Sequence, residues 1–282
     1  MKTRQTIQTR QTKGLQRNPI DKYYTNPTVV NTCMQWVIQH IPINRTTDII
    51  IEPSAGNGSF IQGIKSIVQN YRFYDLEPEH SEIIQQDYLL YENVVSETPG
   101  SKIHVIGNPP FGRQSSLAIR FIKKSCEFCH SISFILPKSF KKDSLKKTFP
   151  LDFHLVFEHD LPEKAFLVDG KEHTVPCIFQ IWEKRDHRRP DFVKMEPAHF
   201  RFVRHTENPH ISFRRVGVNA GTVDTQITEK SPQSHYFIQF SNGKSVDENI
   251  ARLSRIAYDF DNTVGPKSIS KQELIRKWNP LL

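Results

Sequence analysis

The sequence has no apolar run approaching the roughly 18 residues that span a membrane, which argues against a transmembrane segment. Its opening stretch, MKTRQTIQTRQTKG, is basic, but no apolar segment follows it, so a secretory leader is not expected either and the protein is expected inside the cell. Cysteine is scarce, with four residues (Cys33, Cys126, Cys129 and Cys177) in 282. A chain of this length can build a core without disulfide staples. The run Cys126-Glu-Phe-Cys129-His130 matches the haem-attachment pattern, but that chemistry goes with export. A zinc site would need two further ligands at close spacing. The thiols are therefore read as reduced and structural, and no metal is expected. Low-complexity runs are absent, and beyond the short echo TRQTIQTRQTK there is no repeat.

The composition otherwise suits a folded protein. Hydrophobic residues make up 37%, charged residues 24%, and nineteen Phe, eight Tyr and three Trp can fill a core. The formal net charge is +8 and the isoelectric point about 9.3. Such an excess favours polyanionic partners but specifies no chemistry. Residues 1–20 are rich in Lys, Arg, Thr and Gln and offer little to bury, so a disordered basic arm is expected there. It reads either as an ordinary ragged terminus or as a tail that touches phosphates.

Apolar periodicity organises residues 21–186. Val29, Val30, Cys33, Met34, Trp36, Val37 and Ile41 recur at helical spacing from Asn26 onward. Asp48-Ile-Ile-Ile-Glu52 reads as a buried strand running into the turn Pro53-Ser-Ala-Gly-Asn-Gly58, after which Phe60, Ile64 and Ile67 resume a helix. Strands are predicted at 71–75, 102–106, 132–136, 153–158 and 174–183, with a helix over 115–128. The alternation implies a mostly parallel sheet covered on both faces, with ligands at the carboxyl ends of its strands. After residue 186 the character changes. Basic residues and His are dense through 187–215, and long helical patterns are missing until about 247–260. Residues 187–282 are read as a separate C-terminal module.

The unusual segments follow strands. In Glu52-Pro-Ser54-Ala55-Gly56-Asn-Gly58, two glycines allow close backbone approach and the following helix offers free N–H groups. No Lys-Ser/Thr follows, so this is not a P-loop. Asp75, at a strand end, can accept both hydroxyl hydrogens of a ribose; alone it would read as an exposed acid. Asp87 can accept from an adenine amino group, with Tyr88 beside the ring; alone it would read as surface. The element with the most chemical content is Asn108-Pro109-Pro110-Phe111. Two prolines exclude a helix or central strand and stiffen the backbone. The Asn108 side-chain oxygen and the Pro109 carbonyl can both accept from one NH2 group. Two acceptors favour a more tetrahedral nitrogen and free its lone pair to attack, and their stabilisation grows as positive charge develops. Phe111 offers a face for stacking a base.

As a set, Glu52–Gly58, Asp75-Leu76-Glu-Pro78, Asp87-Tyr88 and Asn108–Phe111 resemble class I methyltransferases in order and interval, and more narrowly the N6-adenine amino-methyltransferases. Tyr23-Tyr24-Thr25-Asn-Pro27 is similar to that family's cofactor-clasping segment, and Phe134-Ile-Leu-Pro137 to a later motif. The resemblance covers residues 22–184. It implies an α/β, Rossmann-like class I methyltransferase fold: a mostly parallel seven-stranded sheet with helices on both faces, followed here by a smaller α+β extension. It implies S-adenosylmethionine as cofactor, with Glu52 at the methionine amino end, Tyr24, Thr25, Ser54, Ala55, Gly56 and Gly58 lining it, Asp75 and Leu76 at the ribose, and Asp87, Tyr88 and Asn108 completing the pocket. Asn108 to Phe111 would bind the target amine and base, and Phe166 is taken as a second aromatic clamp.

The expected partner is nucleic acid, DNA or RNA, and the expected assembly a monomer or weak dimer. Methylation of a glutamine side-chain amide uses the same kind of loop, but is expected with an accessory helical domain ahead of the cofactor motif, where only about fifty residues stand here. Cytosine amine methylation goes more often with Ser in place of Asn108. A non-catalytic nucleic-acid-binding protein of degenerate fold is the alternative of a different class. In the module, Arg214 and Arg215 offer charge to a substrate, and Tyr236 and Phe237 read equally as stacking faces or strand core. Lys138, Lys141, Lys142, Lys146 and Lys147 read equally as a substrate path or a solvated helix face.

Overall fold

The computed structural model describes residues 22–92, 100–258, 260, 262 and 265–282; the basic arm expected over 1–20 lies outside them. The described chain enters through a two-residue strand, β1 (Tyr24–Thr25), and passes into α1 (Pro27–His40). The Asn26 side chain accepts from the Thr28 N–H, and Pro27 stands at the first helical position, where its missing N–H is not needed. Val29, Val30, Cys33, Met34 and Val37 form the buried stripe. The helix stops at Ile41, whose extended backbone suits the proline that follows.

The chain continues through β2 (Ile49–Glu52), α2 (Ile61–Ile67), β3 (Asn70–Asp75), β4 (Ile84–Gln85), β5 (Ile103–Gly107), α3 (Ser116–Cys126) and β6 (Ser131–Pro137). Then come the short α4 (Asp143–Lys146), β7 (Phe153–Asp160), the hairpin β8 (Phe166–Val168) and β9 (Lys171–His173), and β10 (Cys177–Lys184). Seven of these strands form one sheet in the order β4-β3-β2-β5-β6-β10-β7. Pairings from β4 to β6 are parallel, and β10 runs antiparallel to both of its neighbours. Ile50 packs into a core with α1 and α2, while Ile49 and Ile51 pack into a second core with α3. Burial on both faces is why β2 reads as an unbroken apolar run. The hairpin pairs with β1 as a separate three-stranded sheet. Strands of two or three residues carry no readable alternation, and none of β1, β4, β8 or β9 is anticipated by sequence.

The amino end of the sheet is tied by buried polar groups. The Asp48 carboxylate accepts from the backbone N–H of Asn44 (2.7 Å) and of Lys102 (2.9 Å). His104 bridges Asp48 (3.3 Å) and the Ser131 hydroxyl (2.7 Å). Burial depresses the His104 pKa, so the ring is held neutral. Burial alone would raise the Asp48 carboxyl, but the two backbone donors and His104 bring it below its ordinary value.

The remaining residues build β11 (Phe200–Val203), β12 (Ile211–Arg214), β13 (Val223–Asp224), β14 (His235–Phe240), α5 (Val246–Leu253) and α6 (Lys271–Trp278). The four strands form a sheet in the order β11-β14-β12-β13. Its core joins Phe200, Phe213, Ile238 and Phe240 to Leu253, Leu274 and Trp278. α6 is a helix the sequence reading does not anticipate, although Ser270 and Glu273 form a capping box at its start, as Ser245 and Glu248 do for α5.

Candidate active site

In a parallel sheet the strands deliver their following loops to one rim. β3, β2 and β5 are adjacent, so the segments after Asp75, Glu52 and Gly107 meet there. The chain crosses the sheet between the β2 and β5 loops, which makes this the topological switch point.

The β2 loop is held from both sides. The Asp75 carboxylate accepts from the N–H of Gly56 (2.8 Å) and of Glu77 (2.9 Å). The Ser54 hydroxyl donates to the Asn108 carbonyl at 3.1 Å, joining the β2 loop to the β5 loop. Gly56 and Gly58 have φ of +54° and +84°, a region that favours glycine. A Cβ on Gly58 would lie 2.7 Å from Ile61 Cδ1, and one on Gly56 would lie 3.2 Å from the Tyr24 ring. Tyr24 thus lies against the loop, and its hydroxyl donates to Glu79 at 2.6 Å. Burial and this carboxylate push its phenol up to about 12. Lys22 pairs with both Glu77 and Glu79. Thr25 is buried beneath, paired with β8.

Two acceptors on this rim are buried without a protein partner: Glu52 Oε2 and Asn108 Oδ1. Glu52 is 2% exposed. Burial first, then the nearby charge of Asp75, raises its carboxyl well above the ordinary range. The Asn108 amide donates through Nδ2 to the Tyr23 carbonyl at 3.1 Å. That carbonyl can only accept, so the amide nitrogen must face it and Oδ1 must point the other way. Pro109 is buried, and Pro110 and Phe111 are half-buried. The Phe111 carbonyl accepts from Leu117 N–H (3.1 Å), which anchors the loop to the start of α3. Gln114 and Ser115, just beyond, have φ of 53° and 62°, a strained backbone for side-chain-bearing residues.

Leu76 is 62% exposed on this rim, although large apolar side chains normally seek burial. Leu90, 73% exposed, ends the three-residue turn that Asp87 caps by accepting the Leu89 N–H. Sequence reading missed Leu90 because the run Tyr88-Leu-Leu-Tyr91 does not reveal which side chain faces out.

Two expected site residues are corrected. Tyr88 does not flank a ligand ring: it is 1% exposed, its hydroxyl bonds Ser125 at 2.8 Å, and its ring stacks with Phe121 and Tyr91 in the core. Phe166 is not a free clamp but a fully buried core residue. The open aromatic at that place is Tyr23, edge-on to Phe166 at 6.2 Å and to His173 at 6.4 Å. The basic candidates are held by the protein's own contacts. Lys138 pairs with Asp160 (3.6 Å) and Lys141 with the same carboxylate (2.8 Å). Arg214 donates to the Val216 carbonyl, and Arg215 stacks on Tyr236 and donates to the Gln233 carbonyl. Phe237 is buried, and Tyr236 is half-buried beneath Arg215. The cysteines are free thiols, with Cys33, Cys129 and Cys177 buried. Among the described residues no group of three or more His, Cys, Asp or Glu can hold a metal ion, and no helix is long and apolar enough to cross a membrane.

The seven-stranded sheet, with helices on both faces and β10 inserted antiparallel, is a Rossmann-like α/β fold. No protein-family model matches the chain, and no curated protein is significantly similar to it. Among solved structures it is similar to a candidate RNA methyltransferase from Pyrococcus horikoshii, at 14% identity over 61% of this chain and 92% of that one, with a TM-score of 0.46. It is also similar to the 23S rRNA methyltransferase ErmE (13% identity, 58% and 71% covered, TM-score 0.42). A third is a candidate methyltransferase from Streptococcus mutans in complex with SAH (15% identity, 54% and 95% covered, TM-score 0.36).

Proposed function

We propose that this chain is an S-adenosylmethionine-dependent methyltransferase that acts on an exocyclic amine, with the N6 amino group of adenine in DNA or RNA as its substrate. The observation that carries this reading is the Asn108 amide: its nitrogen is spent on the Tyr23 carbonyl, leaving a buried acceptor without a partner at the carboxyl end of β5. A buried acceptor left unmade costs about 1–3 kcal/mol, which favours the arrival of a donor.

The residues of the rim fit the cofactor. Glu52 Oε2, buried and unpaired, suits the ammonium of its methionine end. Asp75 keeps lone pairs beyond those used by Gly56 and Glu77 and suits the ribose hydroxyls. Leu76 and Leu90 suit the faces of a purine, with Asp87 near its amino group. When bound, S-adenosylmethionine supplies an electrophilic methyl on sulfonium sulfur.

The chain's own contribution is positioning and electrostatics. Asn108 Oδ1 and the Pro109 carbonyl accept from the two amine hydrogens and turn the nitrogen lone pair toward the methyl. As the nitrogen becomes positive, both acceptors interact with it more strongly, which lowers the barrier rather than merely tightening binding. Phe111 stacks on the base, and Tyr23 edges the pocket. A target inside a duplex has to be flipped out to reach them.

The test supplies labelled cofactor with separate pools of DNA, RNA and protein, and identifies modified nucleosides by mass spectrometry. Label is expected in N6-methyladenine. Asn108→Ala is expected to lower turnover by about 10²-fold or more while leaving cofactor affinity within a few-fold. Label confined to glutamine in the protein pool, or undiminished turnover in the variant, would overturn the reading.

A further inference from the structure

A second concavity lies apart from the Asn108 loop. It is a crevice of about 560 Å³ between α4, with the turn before it, and α6 of the C-terminal module. Its size is that of a small-ligand site. Among the described residues, seven Lys and Arg side chains line it, with the carboxylates Asp143 and Glu273, and one of the seven, Lys141, also pairs with Asp160 at 2.8 Å. Both carboxylates are already engaged across the crevice, Asp143 by Arg276 and Glu273 by Lys142 at 3.9 Å. Among the described residues Lys147 reaches the Phe192 carbonyl, at 3.4 Å. Lys277 meets a neutral acceptor, the Ala257 carbonyl, and the Tyr258 ring at 5.9 Å. Lys194 pairs with Glu196, but both side chains are about three-quarters exposed (75% and 74%), where such a pair contributes little.

A concavity lined by one sign of charge focuses its field and concentrates counter-ions. The anion that suits several lysines spread along both sides of a crevice is a chain of phosphates rather than a single carboxylate. Two half-buried aromatics, Phe192 and Tyr258, also line the crevice, each with a cation over its ring, Arg189 and Lys277 respectively. The crevice is linked to the proposed active site through the sheet. Its first wall starts at Lys141, at the end of the turn that follows β6, and β6 lies beside β5, from whose end the Asn108 loop departs.

We propose that this crevice binds the sugar–phosphate backbone of a single-stranded segment flanking the target nucleotide. The proposal rests on the reading of the chain as a nucleic-acid methyltransferase, but its test reads binding and not methyl transfer. A failure here therefore leaves that reading standing, and the reverse also holds. It assigns backbone anchoring to Lys147, Lys194 and Lys277, in place of Arg214 and Arg215, which the module uses internally.

The experiment measures anisotropy of fluorescein-labelled, mixed-sequence 20-nucleotide RNA and DNA single strands with the full chain across a salt series. Three phosphate contacts contribute about 0.7 each to the slope of log affinity against log salt. The combined Lys147→Ala, Lys194→Ala and Lys277→Ala variant is therefore expected to lose about 2 from that slope. Arginine at the same three positions should keep the full slope, which separates lost charge from lost fold. A control variant with alanine at the exposed Lys102, Lys123 and Lys244 should keep it as well. An unchanged slope in the crevice variant, or an equal loss in the control, overturns the proposal. So does loss of inorganic pyrophosphate binding in the crevice variant with oligonucleotide binding intact, since the crevice would then take a small anion.

Discussion

Replacing Glu52 with Gln keeps the shape of the side chain and removes its ionisation. In the unliganded protein the Glu52 carboxyl is buried, Oε2 is unpartnered, and its pKa stands well above the usual value. A raised acid in the folded state means that the unfolded chain ionises first. Stability is then greatest below the unfolded pKa, about 4.3, and falls as pH rises from there toward the folded pKa. The unliganded Glu52→Gln variant should lose this downward component and melt at or above the wild-type temperature at neutral pH. Cofactor binding should move the other way. An ammonium at Glu52 would pull the carboxyl into its ionised form, and a hydrogen bond to a charged group contributes about 1.5–3 kcal/mol. The variant should therefore bind S-adenosylmethionine roughly ten- to a hundredfold more weakly. Because the bound ammonium favours the ionised carboxyl, wild-type affinity should rise with pH through the folded pKa of Glu52, and that dependence should vanish in the variant. An affinity within twofold of wild type would refute the role given to Glu52.

Two further outcomes follow from the geometry. Gly58→Ala puts a side chain at φ +84° with its Cβ 2.7 Å from Ile61 Cδ1. It should cost at least about 1–2 kcal/mol from the backbone alone, read as a lower denaturant midpoint, and an unchanged midpoint contradicts the packing described. Burial lowers the pKa of His104 and likewise of His235, so each contributes stability that is complete above the unfolded value of about 6.5 and is lost as pH falls toward the folded value. Melting temperature should drop between pH 7 and 5, and His104→Asn should reduce that drop while lowering the temperature at pH 7. A variant with the wild-type pH profile would place the proton elsewhere.

The parts of this molecule legible in its sequence are those where residue type itself does the physical job. Ile49 to Ile51 can only be a strand buried on both faces, Gly56 and Gly58 supply a backbone that others adopt at a cost, and Pro109 with Pro110 stiffens a loop whatever surrounds it. Sidedness is different. Which of Tyr88, Leu90, Tyr23 and Phe166 reaches solvent depends on the hand of a three-residue turn and on a hairpin of three-residue strands. The same limit hides the support of the amide. Asn108 is oriented by the carbonyl of Tyr23, 85 residues upstream, and any residue at position 23 carries a carbonyl. The anchors of the β2 loop are likewise half backbone: Asp75 grips the Gly56 N–H and Ser54 grips the Asn108 carbonyl. Only the side-chain half of each contact leaves a mark in sequence. It follows that the orientation of the Asn108 amide should survive most substitutions of the Tyr23 side chain, provided that β1 stays paired with β8 to keep that carbonyl in place. Loss of the β8–β9 hairpin, far from the Asn-Pro-Pro-Phe motif in sequence, should disable it.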